Sequence, residues 1–409
     1  MPASQAGKWD HKQNKMKSFL LVIGLLLLIA LEILRVYFIM PFPGSQQKNT
    51  IALAYWIDRN IVWLRLLLLL AIAYPVALVF RRSKVWRKIL LSLGLVFYAV
   101  VFYFFNFRFL ADKMFLQPRA KIFASASDNR MGVDKLVIGV VIDGEAKAYP
   151  VQIIGYHHQV RDTVGHTPVM ITYCTVCRTG RVFSPVVNGK PETFRLVGMD
   201  HFNAMFEDAT TKSWWQQVTG IAVTGPLKGT ALKEFPSYQT TLSAWLRGHP
   251  SSTVMQADTS FNKQYDELAL YDKGTLKSGL EKRDVSSWKK KSWVVGIDRN
   301  GSARAYDWNQ LVAERLIQDS LPGLPLLIAL EKDSASFHAW NRVVNGRALR
   351  FAIDPSADGF VDVDTHSVWN SDGLCVDGIL KGSSLQPVQA YQEFWHSWQT
   401  FHPGTTRYK

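Results

Sequence analysis

Cysteine is scarce in this chain, with three thiols in 409 residues. A small disulfide-stapled scaffold is thereby excluded, because such folds need many bridges per residue. Acidic residues are scarce in one region only. Residues 1–121 hold 4 Asp/Glu against 17 Lys/Arg, whereas residues 122–409 hold 29 against 30. The formal net charge of +14 therefore belongs to the first third, and it gives no support to a nucleic-acid-binding face on the remainder. Three further features are missing: a glycine-rich phosphate loop, a Ser-His-Asp elbow, and any histidine inside the long apolar runs. Nucleotide binding, serine hydrolysis and haem ligation within a membrane have no support here. Disorder is excluded by an abundance, 12% aromatic residues including 14 tryptophans.

Long apolar runs are what the first third has. Residues 19–40, 61–80 and 89–108 each reach the roughly 20 residues that a helix needs to cross a bilayer. A cleaved signal peptide does not fit the first run, which is too long and lacks a small-x-small site after "YFIMPFPGS". Residues 1–121 thus read as a three-helix membrane anchor with the lipid bilayer as its partner. Glu32 and Arg35 lie three apart on one helix face and are expected to pair, with a transport site as the sharper alternative. Lys8, Lys12, Lys15 and Lys17 crowd the tail. Arg81, Arg82, Lys84, Arg87 and Lys88 crowd the second connection, while residues 41–60 have only Lys48 and Arg59. The positive-inside rule then places the N-terminus in the cytoplasm and the C-terminal region outside it, against a mild contrary signal from Arg108, Lys113, Arg119 and Lys121.

The outer region repeats itself. "VIGVVIDGEAKAYP" and "VVGIDRNGSARAYD" lie 157 residues apart, so Ala148-Tyr149 falls on Ala305-Tyr306. "VVNGKPETF" and "VVNGRALRF" match at the same spacing, and "GPLKGTAL" matches "GILKGSSL" further on. The expectation is two tandem copies of one strand-rich α+β domain, at 122–256 and 285–409. Residues 257–284, rich in Lys, Asp and Gly, read as a solvated linker. Each copy opens with a hairpin at a D-G or N-G turn, followed by a short helix and further antiparallel strands.

Chemistry is sought where the copies differ. The first alone has Cys174-x-x-Cys177, where the second has Glu331 and Ser334. The first alone has His157 and His158, where the second has Glu314 and Arg315. The two pairs therefore read as one site. Two thiols at this spacing can exchange with a disulfide, chelate a metal, or form a structural bridge. In the redox reading, Cys174 and Cys177 react, His157 tunes the thiolate or carries protons, and Arg178, with Arg181 nearby, stabilises negative charge. The partner would be an extracytoplasmic protein or a small-molecule thiol or disulfide. In the metal reading, Cys174, Cys177, His157 and His158 hold Cu or Zn, since no second CxxC exists to complete a zinc site. In the third reading the disulfide only staples a non-enzymatic envelope assembly protein. His166, His201 and Lys289–291 read as surface, Trp214 and Trp215 as core, and Cys375 as a buried thiol. Asp200, Glu207 and Asp208 read as a charged loop. His249 and His402 precede proline in matching places and read as scaffold.

The string "EAKAYPVQIIGYHHQVRDTVGHTPVMITYCTVCRTGRVF", followed by "SWWQQVTGIAVTGPLKGTALKEFP", resembles the bacterial family known as domain of unknown function 3179. The likeness is clear over about 130–256 and weaker over 285–409. It implies an extracytoplasmic, membrane-attached protein with no established activity. Members usually show Trp-His-Glu where this chain has Tyr156, His157 and His158. They show Cys-Pro-x-Cys-Gly where it has Cys174, Thr175, Val176, Cys177 and Arg178. Selenium at the Cys motif of some members inclines the reading toward redox chemistry.

Overall fold

The computed structural model describes residues 3–354 and 359–409, with side chains from residue 16 onward. Lys8, Lys12 and Lys15, which enter the orientation argument, lie outside the residues whose side chains are described. Three helices come first: α1 (Ala3–Tyr37), α2 (Ile51–Arg82) and α3 (Val85–Phe107). Each is long and apolar enough to cross a membrane, over Met16–Tyr37, Ile51–Arg82 and Val85–Phe107. α2 starts well before the expected residue 61. Nothing in 51–60 breaks a helix, and Ala54 and Ile57 give that stretch a buried face. The first connection shrinks to residues 38–50.

The expected Glu32–Arg35 pair does not form. Glu32 is fully buried and takes both Nε and Nη2 of Arg65 at 2.6 Å, with Asn106 Nδ2 donating at 2.9 Å. Arg35 instead donates to Asp58 at 3.0 Å and to Asn106 Oδ1 at 2.6 Å. Both side chains face the bundle interior, where each finds a better-aligned partner on a neighbouring helix. Buried charge in an apolar setting requires such full compensation, and the network ties all three helices together.

The region after the anchor is strand-rich. A five-stranded sheet runs in the order Phe123–Ala124, Thr253–Met255, Glu145–Pro150, Leu136–Ile142, Tyr238–Thr241. Beside it stand an antiparallel sheet of Gln159–Val164, Thr167–Cys174 and Thr179–Phe183, and a meander from Phe194–Asp200 to Ala222–Thr224. The second half shows the corresponding order Tyr391–Phe394, Trp293–Arg299, Ser302–Asp307, Thr406–Arg407, again with an antiparallel sheet and a meander beside it. A seven-residue helix follows the opening hairpin in both, Val151–His157 and Trp308–Glu314. The hairpins turn at Asp143-Gly144 and Asn300-Gly301, all four with positive φ, as two-residue hairpin turns require. Gly139 and Gly296 lie under Trp245 and Trp398. A Cβ at either would come within 2.2 Å of the indole, so only glycine admits that packing.

A buried seam joins the halves. Arg181 donates to Glu393 at 2.6 Å, Thr179 donates to the same oxygen at 2.9 Å, and the Arg181 guanidinium lies 3.0 Å from the Tyr391 ring centroid. Backbone contacts cross in both directions: Phe394 N donates to Cys177 O, and Thr241 N donates to Ser336 Oγ. The segment 257–284 is not the solvated connection that its charge suggests. Phe261, Tyr265 and Tyr271 are buried and share a core with Tyr149, Ile153 and Ile171. Three aromatics outweigh the surrounding charge, because burying each removes a large apolar area from water.

Candidate functional site

Cys174 ends the strand Thr167–Cys174, and the chain turns through Cys177 and Arg178 into Thr179–Phe183. Arg178 takes a left-handed φ of 58° to close that turn. Both thiols are fully buried and unbridged. They converge on one acceptor: Cys174 Sγ donates to Phe202 O at 3.5 Å and Cys177 Sγ at 3.3 Å. Asn203 Nδ2 donates to Cys177 Sγ at 3.4 Å. Phe202 sits in the tight turn His201-Phe202, both with positive φ and neither glycine. Side chains adopt that conformation reluctantly, so surrounding contacts must hold it.

The anchor supplies those contacts. Phe202 N donates to Gln46 Oε1 at 3.3 Å, and Met199 N donates to Ile39 O at 2.7 Å. Gly198 brings its backbone so near that a Cβ would lie 2.2 Å from Ile39 O. The connection between α1 and α2 thus rests on the turn that covers the thiols. The core beneath is continuous, uniting Val36, Ile39 and Ala54 of the anchor with Cys174, Cys177, Met205 and Trp214.

Burial opposes ionisation of Cys174. The Cys177 thiol, the N–H groups of Ala204 and Cys177, and the Lys291 charge together still hold its pKa below the ordinary thiol value. Cys177 is pushed well above that value, by burial first and then by its bond and charge interaction with Cys174. One thiolate is stabilised by the pair at the expense of the second.

Over residues 117–405 the sequence matches the family described as Protein of unknown function (DUF3179). The chain belongs to that family. No curated protein and no solved structure matches it.

The histidines of this DUF3179 chain do not serve the thiols as expected. His157 Nδ1 lies 2.5 Å from Leu116 O and Nε2 lies 2.7 Å from the Tyr265 hydroxyl. A carbonyl only accepts, so Nδ1 carries the proton and Nε2 accepts from Tyr265. Both nitrogens are taken, and the ring ties the helix Val151–His157 to residues 116 and 265. His158 Nδ1 donates to Tyr173 O at 3.0 Å. It occupies the left-handed position ending that helix, as Arg315 does in the second half. Among the described residues no three His, Cys, Asp or Glu side chains are placed to share a metal ion. With both ring nitrogens engaged, His157 does not join Cys174, Cys177 and His158 in one donor set as the side chains stand.

Arg178 does not reach the thiols either. Its guanidinium donates to Gln392 Oε1 at 2.9 Å and to Tyr271 O and Asp272 O at 3.2 Å, and lies 3.7 Å from the Trp293 ring centroid. It fixes the turn against the second half. Trp214 and Trp215 are core, donating to Glu207 and Asp208 at 2.9 Å, so these carboxylates are not a charged loop. His201 pairs with Asp200 at 2.7 Å, which raises its pKa. His249 and His402 lie against Trp245 and Trp398, and Cys375 is buried.

Two side chains that sequence reasoning assigned elsewhere or passed over lie beside the thiols, both from the second half. Lys291, expected on a solvated face, is half-buried and donates to Val176 O, between the cysteines, at 2.8 Å. Burial pulls its pKa down to about 8 against the opposing pull of both thiols. Ser397 lies near enough to Cys177 to lower its pKa, and donates to Glu393 at 2.9 Å. The available signal was the pair of tryptophans, 288 and 293, that bracket the lysine run and mark it as bordering a core.

A pH prediction follows from His158. Burial is the main reason its pKa falls from 6.5 to about 4. The unfolded state thus takes a proton that the folded state refuses. Stability is full above pH 6.5 and falls between 6.5 and about 4, by on the order of 3 kcal/mol from this group. Urea midpoints of the wild type and His158→Gln across that window check it. The variant should show the shallower fall, and parallel curves would refute the assignment.

Proposed function

We propose that this DUF3179 chain is a membrane-anchored thiol–disulfide protein in which Cys174 and Cys177 cycle between dithiol and disulfide. The observation that carries the reading is the convergence of both buried sulfurs on Phe202 O. Cys174, with the lowered pKa, is the attacking thiolate, and Cys177 resolves the intermediate. Lys291 supplies the positive charge that the sequence reading gave to Arg178. Arg178 and His157 are positioning residues that fix the turn and the helix beside it.

Two further inferences accompany this. The recurring sheet order, paired glycine–tryptophan contacts and 157-residue spacing support a tandem duplication in which only the first copy kept the dithiol. The charges of Lys17 and of Arg81, Arg82, Lys84, Arg87 and Lys88 support a bacterial inner-membrane protein with its N-terminus in the cytoplasm and its thiol domain in the periplasm.

The test is acid quenching of cells followed by alkylation and peptide mapping. The reading expects the 174–177 peptide to carry an internal disulfide in part of the population, and to gain two hydrogens after dithiothreitol. A peptide that stays fully reduced under every growth condition and oxidant challenge would sink it. Lys291→Met is expected to slow iodoacetamide reaction near pH 7.5, because the Lys291 charge is among the groups that lower the pKa of the first thiol. Lys291→Arg should retain most of the rate. Equal rates in all three proteins would remove Lys291 from the site.

A further inference from the structure

Both sulfurs are wholly buried, beneath the 201–202 turn and the anchor connection. A protein partner would need to bring its own disulfide onto one of them, and exchange depends on such access. A small oxidant could instead approach from a neighbouring cavity that reaches the CxxC loop. One cavity adjoins the site. It has a volume of about 660 Å³, within the usual range for small-molecule sites, and Thr175 and Val176, the residues between the cysteines, form part of its wall.

The position of this cavity defines its occupant. Met40, Met114 and Phe115 line it, and they lie just past the ends of α1 at Tyr37 and α3 at Phe107. The cavity therefore lies within a few residues of the ends of two helices long and apolar enough to cross a membrane. Leu268, Leu276 and Leu280 add to its apolar lining, and Glu267, Lys277 and Glu281 contribute charge. His158 also lines it. Its Nδ1 proton is committed to Tyr173 O, which leaves Nε2 as an acceptor for a hydroxyl.

We infer that this cavity takes a lipid-soluble quinone, which enters from the bilayer and oxidises the Cys174–Cys177 dithiol. This rests on the redox reading above and names its electron acceptor. Two S–H bonds break and one S–S bond forms. The two electrons and two protons released pass to the two quinone oxygens, giving the hydroquinone. The apolar lining suits the isoprenoid tail, and His158 Nε2 suits a hydroxyl of the hydroquinone product.

The experiment uses the full chain in detergent, reduced and freed of reductant under anaerobic conditions. A decyl-tailed benzoquinone is the probe, and 4,4′-dithiodipyridine is a control oxidant that bears no tail. The proposal expects one quinone reduced for two thiols lost, with saturation in quinone. Leu276→Trp, which fills the cavity from its wall, should slow quinone reduction at least tenfold and leave the dithiodipyridine rate within twofold. Leu268→Trp provides a second filling variant should the first fold poorly. If dithiodipyridine closes the disulfide and the quinone does not, or if both fillings leave quinone reduction unchanged, the quinone site is overturned and the redox reading stands. If neither oxidant closes the disulfide, the redox reading fails together with it.

Discussion

Serine at position 177 is expected to abolish the intramolecular disulfide and to trap Cys174 as a stable mixed disulfide with any small disulfide reagent. The argument rests on the division of labour between the thiols. In the proposed order Cys174 is the attacking thiolate, its pKa lowered by the Cys177 thiol, two backbone N–H groups and the Lys291 charge against the cost of burial. Its reaction with an oxidant yields an intermediate that only a second sulfur at the same site can resolve quickly. Both sulfurs lie within 3.5 Å of Phe202 O, so resolution is intramolecular. Removing that advantage should lengthen the life of the intermediate by about 100-fold or more. Serine at position 174 should act differently. It leaves Cys177, whose pKa is pushed well up, and reaction with the reagent should become slow from the first step. Intact mass after timed quenching separates the two. Equal behaviour of the two variants would contradict the assigned order. Both should fold, because a serine hydroxyl can still donate to Phe202 O.

Arg181→Met is expected to lower stability by about 3–5 kcal/mol, the usual consequence of leaving one member of a buried ion pair behind. Glu393 is fully buried and takes hydrogen bonds from Arg181, Thr179 and Ser397. Without the guanidinium its carboxylate stays in an apolar seam with hydroxyls alone. The double variant Arg181→Met, Glu393→Met should recover much of the loss, since neither charge then remains unpaired. Urea unfolding of the full chain in detergent measures this. A single variant that costs under about 1 kcal/mol would show that the seam is open to water. The result bears on function, because the same strand carries Gln392 to Arg178 of the CxxC turn.

Much of the fold was legible because its signals are periodic or repeated. Apolar runs gave the three helices, D-G and N-G gave the opening hairpins, and the segments that match at 157-residue spacing lie on corresponding hairpin strands. The misreadings have physical causes. Glu32 and Arg35 satisfy a helical pairing rule, yet a buried bundle offers Arg65 and Asp58, which no local spacing reveals. The segment 257–284 looked solvated because charge was counted over it, while burial was decided by Phe261, Tyr265 and Tyr271. Of the site, the two cysteines were legible and their surroundings were not. His157 and His158 sit close in sequence, but the helix they end directs one ring to Leu116 and Tyr265 and the other to Tyr173 O. Lys291 and Ser397 come more than 100 residues later, and the turn that covers the thiols is held by Gln46 of the anchor. Contacts across such separations depend on how sheets and halves dock, which motif spacing does not encode.

The most direct test of the central claim is equilibrium titration of the full chain against dithiothreitol buffers of graded redox poise. Peptide mapping then reads the reduced fraction of the 174–177 peptide. A reversible two-electron transition between dithiol and disulfide, with the chain folded at both ends, is the predicted result. Thiols that remain reduced at every poise, or that oxidise only when the chain unfolds, would contradict it.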